Sequence, residues 1–188
     1  MLLAPVGSTP ADFSVSINGF VQNISLEVPM GLFTRKKKKF EILAPLTGKA
    51  VPVSETPDSV FSGKVLGDGV TILPENGEVV APVAGKVVNI AHSYHALCIE
   101  GDDGAEVLIH LGINTVELKG KGFCCHIKQG DHVQAGQKLM NMDLEFIKEQ
   151  GYSTASPCIV TNLTDLKNLS LQTGDAKAGE TVVVQYEK

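Results

Sequence analysis

Two histidines, His95 and His110, stand in neighbouring segments whose residue types suit a β-hairpin. Tyr94 to Glu100 and Ala105 to Leu111 read as strands, and Gly101-Asp102-Asp103-Gly104 as the turn between them. A turn centred on Asp102 and Asp103 sets His95 opposite His110, Leu97 opposite Leu108 and Ile99 opposite Glu106. Alternation along each strand then gathers His95, Leu97, Ile99, Leu108 and His110 on one face. Directly opposed residues have Cβ atoms about 4.5–5.5 Å apart, whereas a slip of one residue separates them to opposite faces. Two imidazoles so placed suit three uses: accepting a phosphoryl group with the neighbour assisting, binding a metal together, or plain packing.

Phosphoryl chemistry fits imidazole well. The ring titrates near neutral pH, so its uncharged form offers a lone pair for in-line attack on phosphorus. The resulting phosphoramidate stays reactive toward the next acceptor, and transfer rests on positioning and charge stabilisation. One nitrogen of His110 is expected to be held by a hydrogen bond, leaving Nε2 outward, and Ser93 to donate to phosphoryl oxygens. Leu97 and Leu108 read as an apolar collar for a protein partner. Gly112 reads as a small residue that leaves room for that partner's backbone.

The elements around this hairpin are mostly strands. Gly69–Pro74, Gly85–Ile90, Val107–Leu111 and Thr181–Val184 are short Val, Ile and Leu runs separated by Gly, Pro, Asp and Asn. Helix is expected only over Leu144–Glu149 and Leu163–Leu169. Ala44-Pro45-Leu46-Thr47-Gly48-Lys49-Ala50-Val51 echoes Ala81-Pro82-Val83-Ala84-Gly85-Lys86-Val87-Val88, and Lys128–Leu139 is a looser third copy. The fold class is therefore all-β: a flattened β-sandwich or barrel with a quasi-duplicated hybrid motif and a few short helices.

Composition narrows the function classes. A net charge of −5 over 188 residues argues against a nucleic-acid surface, which needs clustered Lys and Arg. Cys98, Cys124, Cys125 and Cys158 show no CxxC spacing and read as reduced thiols of a cytoplasmic protein. No apolar run approaches the roughly 20 residues of a membrane span, and Asp12 interrupts any signal-peptide core. Residues 1–39 read as an N-terminal extension, with Met30 as an alternative native start, and residues 40–188 as the domain. The basic run Arg35–Lys39 reads as a solvated linker; beside Leu32 and Phe33 it would give at most weak peripheral membrane contact. His92, His126 and His132 are expected to take no catalytic part, and Cys124 and Cys125 to sit at core or edge positions.

Several blocks together resemble one family. Pro57-Asp58-Ser59-Val60-Phe61, Gly67-Asp68-Gly69, Ala81–Gly85, Tyr94-His95-Ala96 and the run from Ile109 to Gly120 are similar, in order, to glucose-type enzyme IIA of the bacterial sugar phosphotransferase system. The similarity spans residues 40–188. It implies a phosphocarrier that accepts phosphate on His110 from the phosphocarrier protein HPr and passes it to a cysteine of a sugar-specific enzyme IIB of the IIB/IIC permease. It implies that His95 assists, that Val60, Phe61, Leu97 and Leu108 belong to an apolar docking ring, and that no cofactor is required. In some relatives the two histidines also bind zinc with a partner's carboxylate, so His95 and His110 are candidate ligands at an interface. Regulatory binding of transporters, kinases or other metabolic proteins is a further family property. Three positions depart from the pattern: Cys98 replaces a small hydroxyl residue, Asn114 an Asp, and Ala91 an aromatic of the ring.

Rival classes fit less well. A zinc peptidase would need a further His-x-His pair and an Asp ligand, which His92, His126 and His132 do not supply. A biotinyl or lipoyl carrier would need a lysine within Met140-Asn141-Met142. A purely regulatory descendant would have no need of both His95 and His110.

Overall fold

A computed structural model describes residues 38–188. The N-terminal extension up to Lys37, the alternative start at Met30 and the membrane contact through Leu32 and Phe33 lie outside the described residues. The chain from Lys39 onward is a succession of short antiparallel strands. They are β1 (Lys39–Leu43), β2 (Gly48–Pro52), β3 (Asp68–Pro74), β4 (Glu78–Val80), β5 (Gly85–Ile90), β6 (Ala96–Gly101) and β7 (Glu106–His110). After these come β8 (Phe123–Cys125), β9 (His132–Val133), β10 (Lys138–Met142), β11 (Ser156–Val160), β12 (Lys167–Leu171), β13 (Gly174–Ala176) and β14 (Val182–Glu187).

Eight strands form the main sheet in the order β13-β2-β3-β11-β7-β6-β5-β9, and β1-β14-β12 and β4-β10-β8 form two smaller sheets. All three bury side chains in one core. Ile72, Ile99 and Ile109 come from the main sheet, Val184 and Tyr186 from β14, and Leu139 and Met140 from β10. The architecture is thus the expected β-sandwich. Apolar burial at roughly 25 cal/mol per Å² is its main stabilising term.

The repeated Pro-x-x-Gly segments have a shared physical cause. A Cβ on Gly48 would sit 2.1 Å from the carbonyl oxygen of Leu73, and one on Gly85 2.2 Å from that of Glu100. Each glycine opens a strand that lies directly on its neighbour's backbone.

Among the described residues α-helix is confined to two short pieces. α1 (Ser59–Ser62) is capped by Asp58, whose carboxylate accepts from the N–H groups of Val60 and Phe61. α2 (Leu144–Glu149) forms where expected, capped by Asp143. The expected helix over Leu163–Leu169 does not form. Leu163–Asp165 makes one 3₁₀ turn and the chain then enters β12. Leu169 and Leu171 alternate with exposed Ser170, and this period of two pairs with β14. Sheet pairing overrides the local preference.

Candidate functional site

The β6–β7 hairpin is shifted by one residue from its expected register. Ala96 lies opposite His110, Leu97 opposite Ile109, Cys98 opposite Leu108 and Ile99 opposite Val107. The cause is the turn. Gly104 adopts φ 84°, its N–H reaches the carbonyl of Gly101 at 2.6 Å, and Gly101 N–H reaches that of Ala105 at 2.8 Å. Asp102, Asp103 and Gly104 therefore make a three-residue loop with a left-handed third position instead of a two-residue turn.

That shift reverses the faces of β6. Leu97 and Ile99 are fully buried in the core, so Leu97 is withdrawn from the docking ring. Leu108 and His110 lie on the opposite, outward face and are half-buried. Beneath them Val53, Phe61, Ile113, Ala155 and Ile159 form a second small apolar cluster against which Leu108 packs. Phe61, expected in the docking ring, is mostly buried at 7% exposure, while Val60 beside it is 42% exposed.

His110 ends β7. Its Nδ1 lies 2.7 Å from the carbonyl oxygen of Gly112. A carbonyl only accepts, so Nδ1 carries the proton and Nε2 keeps its lone pair. The Phe61 ring meets the imidazole edge-on at 5.0 Å between centroids. Burial holds the His110 pKa below its ordinary value, and the nearby His95 lowers it further; the Gly112 hydrogen bond and the charge of Asp58 act the other way. The neutral, nucleophilic form is thereby favoured.

Gly112 does not leave room for a partner. It is buried with φ 73°, and a Cβ there would lie 2.5 Å from Thr115 Cγ2 and 2.7 Å from the carbonyl oxygen of Ser153. This chain's own backbone fills the space. The glycine instead lets the chain turn so that its carbonyl faces His110, and Ser156 Oγ accepts its N–H at 3.1 Å.

His95 reaches the same site from outside the strand. It belongs to the loop between β5 and β6, closed by Ala91 N–H donating to the carbonyl of Ala96 at 2.8 Å. Its ring stands 5.1 Å from that of His110, inclined at 78°. Its Nδ1 lies 2.7 Å from Ser93 Oγ, so Ser93, expected as a donor to phosphoryl oxygens, instead engages His95. Burial lowers the His95 pKa as well. The two histidines are thus brought together as expected, by a route different from the expected one.

The other singled-out groups lie elsewhere. His132 is exposed and 2.7 Å from Asp102, and His126 is exposed beside Asn141. Cys158 is buried, which pushes its thiol up to about 12, and Cys98, raised by burial and by Glu106, lies opposite Leu108. All four thiols are unpaired. Sequence reasoning missed Asp58 as the α1 cap beside His110 and missed Tyr94 in the left-handed region at φ 55°. The Pro57-Asp58-Ser59 string was a readable cap signal; nothing in the sequence announces a left-handed tyrosine. Among the described residues no helix is long and apolar enough to cross a membrane, and no group of three or more His, Cys, Asp or Glu is arranged to hold a metal.

The fold and site together define a β-sandwich that holds two imidazoles side by side, each with its Nδ1 engaged. Known proteins place it more narrowly. Residues 40–166 match the family described as phosphoenolpyruvate-dependent sugar phosphotransferase system, EIIA 1. The chain is 40% identical over 152 residues to the PTS system glucose-specific EIIA component of Oceanobacillus iheyensis, covering 80% of this chain and 92% of that protein. It is 47% identical over 143 residues to the glucose-specific EIICBA component of Staphylococcus carnosus, covering 76% of this chain but 21% of that longer protein. Among solved structures, glucose permease IIA from Mycoplasma capricolum superposes with a TM-score of 0.74 at 37% identity, covering 79% of this chain and 96% of that one. The chain belongs to the EIIA 1 family, whose members are phosphocarrier components of the sugar phosphotransferase system.

Proposed function

We propose that His110 carries the phosphoryl group and that His95 assists its transfer. The observation that supports this best is the Gly112 carbonyl on Nδ1 of His110, which leaves the Nε2 lone pair beside a second imidazole. Nε2 of His110 attacks phosphorus in line as the P–N bond to the donor's phosphohistidine breaks, and the donor imidazole keeps that electron pair. When Ser93 O–H donates to Nδ1 of His95, Nε2–H of His95 is left to hydrogen-bond a phosphoryl oxygen. In the next step a cysteine thiolate of the acceptor attacks phosphorus, and the electrons of the P–N bond return to His110.

The donor in this reading is HPr, the acceptor is a sugar-specific enzyme IIB, and the compartment is the cytoplasm. Fusion of EIIA to EIIB and EIIC in the relatives of Staphylococcus carnosus supports the acceptor assignment. Val60 and Leu108 supply exposed and half-exposed apolar surface for docking, with Phe61 packed beneath. Zinc fits the same pair only in part. In the other His95 tautomer, with Nδ1–H donating to Ser93, the two Nε2 atoms supply two ligands of the usual four, so a partner's carboxylate and a further ligand must complete the site. Regulatory binding of transporters or kinases would use the same face.

Incubation with phosphoenolpyruvate, enzyme I and HPr, followed by mass spectrometry, tests the reading. Phosphate is expected on His110. His110→Gln should accept none, and His95→Gln should accept phosphate but donate it slowly. A wild-type protein that takes up no phosphate overturns the relay.

A further inference from the structure

Tyr94 separates Ser93 from His95, and its backbone lies in the left-handed region at φ 55°. The other non-glycine residues with positive φ among the described residues are Lys64, Asn114, Lys119 and Asn168; none is aromatic. A bulky residue there is a genuine outlier, and outliers of this kind cluster where a site needs them. The surrounding geometry says what this one does. His95 continues the ladder of β6, since its carbonyl accepts from Leu111 N–H at 2.7 Å. Strict alternation from Leu97 would send its side chain toward the core with Leu97 and Leu111, both fully buried. Its ring instead meets His110, and its Nδ1 meets Ser93 across the single intervening residue, Tyr94.

We infer that Tyr94 is a positioning residue for phosphoryl transfer, its left-handed backbone turning Ser93 back onto His95 and so fixing the ring that faces His110. The inference rests on the relay reading for its functional meaning. The turn is braced at both ends. Tyr94 N–H donates to the carbonyl of Ala91 at 2.8 Å, and Cδ2 of the ring lies 3.6 Å from where a Cβ on Gly120 would be. The ring remains 41% exposed. The positioning is thus the work of the backbone rather than of the ring. Asn, which tolerates the left-handed region, should replace Tyr94 without loss; Val, which does not, should release His95.

The test compares Tyr94→Val with Tyr94→Asn and wild type by two readouts. One is the ¹⁵N NMR signature of the His95 ring, which reports its tautomer and the Ser93 contact. The other is the rate of phosphate acceptance from phospho-HPr against the rate of donation to enzyme IIB. Tyr94→Val is expected to lose the fixed His95 tautomer and to donate roughly ten- to a hundredfold more slowly while still accepting. Tyr94→Asn is expected to behave as wild type in both. A Tyr94→Val protein with unchanged His95 signals and normal donation overturns the inference. So does a Tyr94→Asn protein as impaired as Tyr94→Val, because the ring rather than the backbone would then be at work. Should Tyr94→Val fold poorly, Tyr94→Ala gives the same comparison at a smaller left-handed penalty. Failure of wild type to take phosphate on His110 would overturn the relay alone, since the NMR readout decides the Tyr94 question without it.

Discussion

Replacing Gly112 by Ala distinguishes two roles for this glycine: space for a partner, or space already filled by its own chain. The structure places a new Cβ 2.5 Å from Thr115 Cγ2 and 2.7 Å from the Ser153 carbonyl oxygen. The Thr115 methyl cannot simply rotate away, because Thr115 Oγ1 is held by the carbonyl of Leu111 at 2.6 Å. The Ser153 oxygen is backbone and already accepts Ile113 N–H at 2.9 Å. Forcing a methyl into such a site costs about 1–3 kcal/mol. Holding alanine at φ 73° adds about 1–2 kcal/mol. The stiffer unfolded chain returns about 0.4–1 kcal/mol.

The net loss is about 3 kcal/mol, within a span of about 1–5. For a domain of this size that lowers Tm by roughly 10 °C. Urea unfolding of Gly112→Ala should show a lower midpoint at an unchanged slope. Phosphate acceptance, measured well below the transition, should fall as well, because the carbonyl that holds Nδ1 of His110 must move. A variant within about 0.5 kcal/mol of wild type would refute this reasoning, since that is the range of ordinary surface changes. Intact stability with acceptance lost would restore the partner-space role.

Ser93→Ala should leave acceptance near normal but slow donation about tenfold, the equivalent of one hydrogen bond on His95; unchanged donor kinetics would remove Ser93 from the site. The histidine pair also predicts a pH dependence of stability. Burial lowers both pKa values below the ordinary 6.5, so in the window beneath 6.5 the unfolded chain binds more protons than the native one. Their stabilisation is complete above 6.5 and is lost as pH falls through that window toward the native values. The double variant His95→Gln, His110→Gln should therefore show a flatter stability profile between neutral and acidic pH than wild type; parallel profiles would contradict the assignment. Tyr186→Phe removes the phenol that donates to the Asp103 carboxylate at the tip of the β6–β7 hairpin. It should cost about 1–2 kcal/mol by urea unfolding and leave phosphate relay intact, because His110 lies at the other end of β7.

The sequence made the two-histidine site legible although it misplaced the hairpin that carries it, and the reason is physical. The fold class followed from strand-length apolar runs and from the Pro-x-x-Gly echo, whose glycines both sit on neighbouring backbone. The register did not follow, because Gly101-Asp102-Asp103-Gly104 suits a two-residue turn as readily as a three-residue one with a left-handed glycine. One residue of slip moved Leu97 from the expected docking face to the core. It should by the same rule have parted His95 from His110. It did not: the ring of His95 still meets that of His110, and Ser93 reaches its Nδ1 across the left-handed Tyr94. The shifted register and the left-handed residue before His95 thus coexist with adjoining imidazoles. The site therefore draws on two left-handed residues, Gly104, which sets the register, and Tyr94, which we infer turns Ser93 back onto His95.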